Sequence, residues 1–222
     1  MGATQTAASD AVAEHLRASI RSGAYAPGDR LVERRIAAEL GLSHIPVREA
    51  LARLTEEGLV VRLPGRSARV RELDERALEE LAVLRLLLER MVAVSVCDRF
   101  TEQVAHELET IVKAMRAAAG QRDRAALSEC DARFHAALWR HADNGLLLEI
   151  AAQLRGRVAS FLRAATEALS DDELLEHADS HARLVAVLAG RDRRVVGRAM
   201  EQHINAAATR IRRIHEAATS EA

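Results

Sequence analysis

The sequence predicts a mainly α-helical chain in two parts: three helices and a β-hairpin first, then an all-helical bundle of six. Three observations carry this. Aromatic residues make up 2% of the 222 residues and prolines number 3, while Ala, Leu and Arg recur throughout. That composition favours helix and gives a β-sandwich little of its usual material. From about Asp74 to His215 apolar residues recur at helical spacing, and no stretch alternates as a strand does. Two short alternating runs do occur, but only after Gly58, on either side of a Pro-Gly-Arg tip.

The elements follow in order. Ala7 to Ser22 reads as a first helix with Val12, Leu16 and Ile20 along one face, ended by the turn Tyr25-Ala26-Pro27-Gly28. Glu33 to Leu40 reads as a short second helix stopped by Gly41. Ser43 is placed to cap a third helix, with Pro46 in the first turn, where a missing N–H costs nothing. Val47, Ala50, Leu51 and Leu54 would face the core, and Gly58 closes the helix. Leu59–Leu63 and Ala68–Glu72 then form the hairpin around Pro64-Gly65-Arg66-Ser67. Helix, helix-turn-helix and hairpin in this order make a winged helix, which lays one helix in a DNA major groove. The chain changes character at Leu73, so the expected division is 1–72 and 73–222. Asp74 would cap the first of the six later helices, with breaks near Thr101, Gly120-Gln121, Asn144-Gly145, Ser170-Asp171 and Gly190.

The totals fit a globular protein with a proper core: 49% of residues are hydrophobic and 29% charged. No apolar run approaches bilayer length and no segment resembles a signal peptide, so the expected setting is the cytoplasm, with no membrane partner. Cys97 and Cys130 have neither metal-type spacing nor disulfide-scaffold density and read as reduced thiols. A net charge of −1 argues against indiscriminate coating of nucleic acid, though a specific reader depends on where its charges lie. Lys113 is the only lysine, so cationic contacts fall to arginine, which forks onto guanine edges and phosphates.

On the third helix the face opposite the apolar stripe carries His44, Ile45, Arg48 and Ala52. Arg48 is placed to reach a guanine or a phosphate. PG.RL, A..LG.S..PVREAL.RL and EGLV resemble the DNA-binding domain of the GntR family of bacterial transcription regulators. That resemblance implies a DNA-contacting arginine early in the second helix, with Arg34 the nearer equivalent and Arg35 the alternative. Arg66 and Arg69 on the wing could meet phosphates or the minor groove, although Arg69 reads equally as an ordinary solvated charge. Two positions depart from the family pattern. His44 stands where many members carry arginine, and Ser67 follows Arg66 where the wing usually reads Arg-Gly.

In the helical region a carboxylate and three imidazoles lie on apolar faces. Asp131 and His135 are four apart and project side by side; His181 runs with Leu174, Ala178, Leu184 and Leu188; His203 runs with Val196, Met200, Ala207 and Ile211. A buried carboxylate needs a cation or donors, and this set suits a divalent transition metal. Spacing alone does not separate that reading from hydrogen-bonded core histidines. The strings D.RFH, H..L.A.L.G.D and M..HI resemble the FCD effector domain of the FadR-type GntR regulators. The resemblance implies that Asp131, His135, His181 and His203 hold the ion, zinc first, with nickel or manganese as alternatives. His177 could compete but matches no ligand position. Such domains commonly bind small organic acids, which makes Arg85 an effector contact; an intrahelical pair with Glu89 is its other reading. Glu89 and Asn144 are expected to be structural.

The expected function is a homodimeric transcription regulator, a repressor, bound to an inverted-repeat double-stranded operator and controlled by a small carboxylate at the metal site. A metal-free sensor of a bulkier ligand such as an acyl-CoA, and a helical metal-dependent hydrolase, are the alternatives.

Overall fold

The computed structural model describes residues 2–62, 67–72 and 75–220. The wing tip 63–66, with the candidate Arg66, and the junction 73–74, with the expected cap Asp74, lie outside the described residues. The chain divides into two compact units, Met1–Asp74 with Ala152–Ser160, and Glu75–Ala151 with Phe161–Ala222.

The first unit contains α1 (Gly2–Arg21), β1 (Arg30–Leu31), α2 (Glu33–Leu40), α3 (His44–Glu56), β2 (Val60–Val61) and β3 (Ala68–Val70). Helix α2 has the expected bounds because Gly41 takes a left-handed φ of 66° and turns the chain out of the helix. Val12, Leu16 and Ile20 of α1 meet Val47, Leu51 and Leu54 of α3, all within 2% of full burial. Arg17 on α1 grips Glu57 at the end of α3 with two bonds of 2.8 and 2.6 Å, a fork that fixes the angle between the helices.

Two expectations are corrected. The hairpin is part of a three-stranded antiparallel sheet ordered β1-β3-β2, with Leu31 opposite Ala68 and Val60 opposite Val70. β1 follows the Pro27-Gly28 turn, and its Leu31 side chain, 1% exposed, goes into the core. Ser43 has the extended backbone of a cap, but its hydroxyl makes no capping bond.

The second unit holds α4 (Glu75–Asp98), α5 (Glu102–Gly120), α6 (Arg124–His141), α7 (Gly145–Glu167), α8 (Asp171–Ala189) and α9 (Arg193–Ser220). Helices α5 to α8 start at side-chain caps. Thr101, Asp123 and Asn144 each accept a bond from the backbone N–H three residues on, and Ser170 with Glu173 forms a full capping box. Helix α4 packs on α9, and α5 packs on α6 and α8. Their apolar faces meet in one core, with Trp139, Phe134, Leu108 and Met115 among its fully buried members. No helix among the described residues is long and apolar enough to cross a membrane.

Candidate functional site

In the first unit Pro46, Val47, Ala50, Leu51 and Leu54 form the buried face of α3, which leaves His44, Ile45 and Arg48 outward. Ile45 is 56% exposed. The Arg48 guanidinium lies beside Glu33 at the start of α2, with Nε 3.2 Å from Oε2, while Arg62 at the end of β2 reaches the other carboxylate oxygen. Arg34 is exposed, and Arg35 pairs with Glu39 one turn on, at 2.8 Å. Arg69 donates to the Gly28 carbonyl, and Arg30 donates to the Ser67 hydroxyl at 2.9 Å. Arg48 and Arg62 thus share one carboxylate beside the start of α3. The sequence reading missed Arg62 and Glu33, since their pairing joins elements 29 residues apart.

In the second unit Asp131 and His135 on α6, His181 on α8 and His203 on α9 each present one ligand atom, all within 4.8 Å of one another. His181 Nε2 stands 3.1 Å from Asp131 Oδ1, and the Nε2 atoms of His135 and His203 are 3.4 Å apart. A tetrahedral ion with bonds of about 2.1 Å separates its ligand atoms by about 3.4 Å, close to these two spacings.

Hydrogen bonding fixes which nitrogen faces the centre. His181 Nδ1 donates to the His177 carbonyl at 2.9 Å, which leaves Nε2 with its lone pair; that atom is buried and has no hydrogen-bond partner. His135 Nδ1 donates to Glu89 Oε2 at 3.2 Å, leaving Nε2 bare in the same way. Ser180 Oγ gives its proton to the His177 carbonyl and lies 3.4 Å from His203 Nδ1, whose N–H it can accept. Three imidazole nitrogens and a carboxylate oxygen therefore converge, a donor set that suits a cation. Burial pushes the His181 and His203 imidazoles down, His203 well below its ordinary value, so both are neutral. Burial opposes the Asp131 charge, but the surrounding imidazoles hold its carboxyl well below the usual range.

The neighbours divide by role. Glu89, 1% exposed, joins His135 to Arg85, whose Nε is 3.7 Å from Glu89 Oε1. The intrahelical reading of Arg85 is thus realised, and Glu89 gains a partner the sequence reading did not give it, His135. His177 Nε2 lies 3.3 Å from Asp131 Oδ1. Its Nδ1 faces Arg210 Nη2 at 3.5 Å, and since a guanidinium only donates, Nε2 carries the proton. His177 thus sits beside Asp131 but outside the four-residue ligand group. Asn144 caps α7 and is structural, as expected. Arg210 was missed, because its relation to the site comes only through the α8–α9 pairing.

Residues 8–70 match the family described as bacterial regulatory proteins, gntR family, and residues 80–206 match the FCD domain. The chain belongs to the GntR family. Its C-terminal unit is an FCD domain, and the protein is a DNA-binding transcriptional regulator, not an enzyme. It is 29% identical over 197 residues to the HTH-type transcriptional regulator McbR of Escherichia coli K12, covering 87% of this chain and 89% of that one. It is 30% identical over 203 residues to a probable D-xylose utilization operon transcriptional repressor of Paenarthrobacter nicotinovorans, covering 91% and 88%. The solved structure of E. coli McbR/YncC superposes with a TM-score of 0.80 at 27% identity, covering 89% of this chain and 93% of that one. In this GntR regulator the acid-and-histidine cluster lies inside the FCD domain, a fold known to bind metals.

Proposed function

We propose that this GntR regulator is an effector-controlled repressor of the FadR subfamily. A metal ion, zinc first, with nickel or manganese as alternatives, is held by Asp131, His135, His181 and His203, and Arg85 helps receive a small carboxylate. The carrying observation is the convergence of three imidazoles from three helices on the Asp131 carboxylate, with ligand atoms all within 4.8 Å of one another. A bound ion supplies a Lewis-acidic coordination point for an effector oxygen. The protein's own groups do the rest. Glu89 and the His177 carbonyl fix the orientation of the imidazoles, and Arg85 balances an incoming negative charge at the cost of loosening its pairing with Glu89.

We further assign Arg48, with Arg34, Arg35, His44 and Arg66, to contacts with a double-stranded inverted-repeat operator read by a homodimer. Val83, Leu84, Leu87 and Met91, 45–59% exposed along one side of α4, support a surface covered by a second copy. An effector can act only by binding the DNA-competent and incompetent arrangements unequally. Arg85 and Glu89 lie on α4, the first helix after the DNA-binding domain in the sequence. The repressor names of relatives, including the gluconate operon repressor of Bacillus subtilis, favour repression over activation.

Metal analysis of the purified protein beside Asp131→Ala and His203→Ala tests the centre. About one ion per chain in the parent and little in either variant is expected; equal content in all three overturns the ion site.

A further inference from the structure

We propose that Arg210, with His177 beside it, is a second anion-binding arm of the same centre, so that the effector carries two acidic groups. This rests on the metal-and-effector reading above and narrows its ligand to the dicarboxylates.

The placement comes first. Arg210 lies seven residues after His203 on α9, two turns along the same face, and helical side chains lean back toward the N-terminus. It therefore leans toward the ligand cluster. His177 lies one turn before His181 on α8. The contacts pair His203 with Ser180 and Arg210 with His177, so the two helices run antiparallel and the second pair forms a layer adjoining the ion's ligands.

Next comes the unmet donor. Arg210 touches His177 Nδ1 through Nη2 at 3.5 Å, the outer limit of a hydrogen bond, while its Nε is buried with no hydrogen-bond partner among the described residues. The other guanidinium of the site, Arg85, has Glu89. Glu173, which also acts on Arg210 by its charge, is exposed and accepts from the Ser170 backbone N–H as part of the α8 cap. A buried guanidinium N–H aimed at nothing calls for an acceptor that arrives with the ligand.

The charges agree. Within the site the carboxylates of Asp131 and Glu89 offset the guanidiniums of Arg85 and Arg210, and imidazoles bind metals in neutral form. A divalent ion then leaves two positive charges in a largely buried place. A monocarboxylate cancels one of them; a dicarboxylate cancels both, with one group at the ion and the other at Arg210.

The experiment is calorimetric titration of full-length, zinc-loaded protein with matched acids: propionate against malonate, butyrate against succinate, valerate against glutarate. At least one diacid is expected to bind tenfold or more tightly than its monoacid. Arg210→Gln should remove that preference while the protein keeps its zinc, and Arg210→Lys should restore part of it. An Arg210→Gln protein that keeps its zinc and its full diacid affinity overturns the proposal, and so does a parent protein with no diacid preference. If Arg210→Gln fails to fold, the parent's paired affinities and Arg210→Lys decide in the same way. Monoacid binding that needs zinc but shows no diacid preference defeats this inference alone. Absence of both zinc and any acid binding defeats it together with the effector reading.

Discussion

Replacing Arg48 by alanine is expected to weaken operator binding about 5- to 150-fold and to leave the fold nearly untouched. A bidentate arginine–guanine contact discriminates by about 1–3 kcal/mol, and each 1.4 kcal/mol is about tenfold. The fold should tolerate the change because the Arg48 side chain is 66% exposed and its partner Glu33 keeps Arg62. Exposed ion pairs contribute about 0.2–1 kcal/mol, which corresponds to less than about 4 °C in Tm for a chain of this size. The operator is obtained by selecting duplexes from a random pool with the parent protein, and both proteins are then compared by fluorescence anisotropy at several salt concentrations. If Arg48 reads a base, the loss is confined to the selected site and the salt slope barely moves. If it grips a phosphate, binding weakens on all sequences and the slope falls by about one. Unchanged affinity for the selected site, with unchanged sequence preference, would refute the assignment of α3 as the reading helix.

Three further outcomes follow from the second unit. Chelation of the bound ion should lower Tm by roughly 5–10 °C, from about 2.7 kcal/mol of binding linkage at a free metal concentration near 100 Kd; a scan unchanged by chelator would count against a structural ion. The metal-free protein should lose stability as pH falls below about 6.5: His181 and His203 are depressed in the fold, so the unfolded chain binds more protons there, and urea midpoints at pH 7.5 and 5.5 read the difference. His203→Asn should reduce that dependence. Leu87→Glu, placed in the exposed stripe of α4, should turn a dimer into a monomer by light scattering, and an unaltered dimer would move the interface elsewhere.

Much of this was legible where one residue acts locally. Gly41 and Gly58 take positive φ and end α2 and α3 as expected, and Thr101, Asn144 and Ser170 mark helix starts through their own side chains. Asp131 and His135 could be paired from a four-residue interval, although the full ligand set came from family likeness rather than spacing. What escaped was whatever depends on pairing between distant segments. β1 is two residues long, too short to alternate, and exists because β3 offers it a partner. Glu89 read as structural until α4 and α6 set it against His135. Arg210 was one arginine among many on α9, and only the register of α8 beside α9 gives it a role. Helix α1 begins at Gly2, ahead of the expected Ala7, since the residues before its apolar face carry no periodic signal.

The shared carboxylate of Glu33 has a consequence for how this regulator searches a genome. Before any duplex arrives, it holds two guanidiniums in a common orientation, and so part of the ordering that docking requires is already complete. The same negative charge must give up its partners, or share them, when nucleotides come close. A random stretch of DNA offers little in exchange, whereas a correct base edge offers a forked bond. If Arg48 reads the operator as proposed, the acid at the start of the second helix is expected to raise the threshold for incidental sequences.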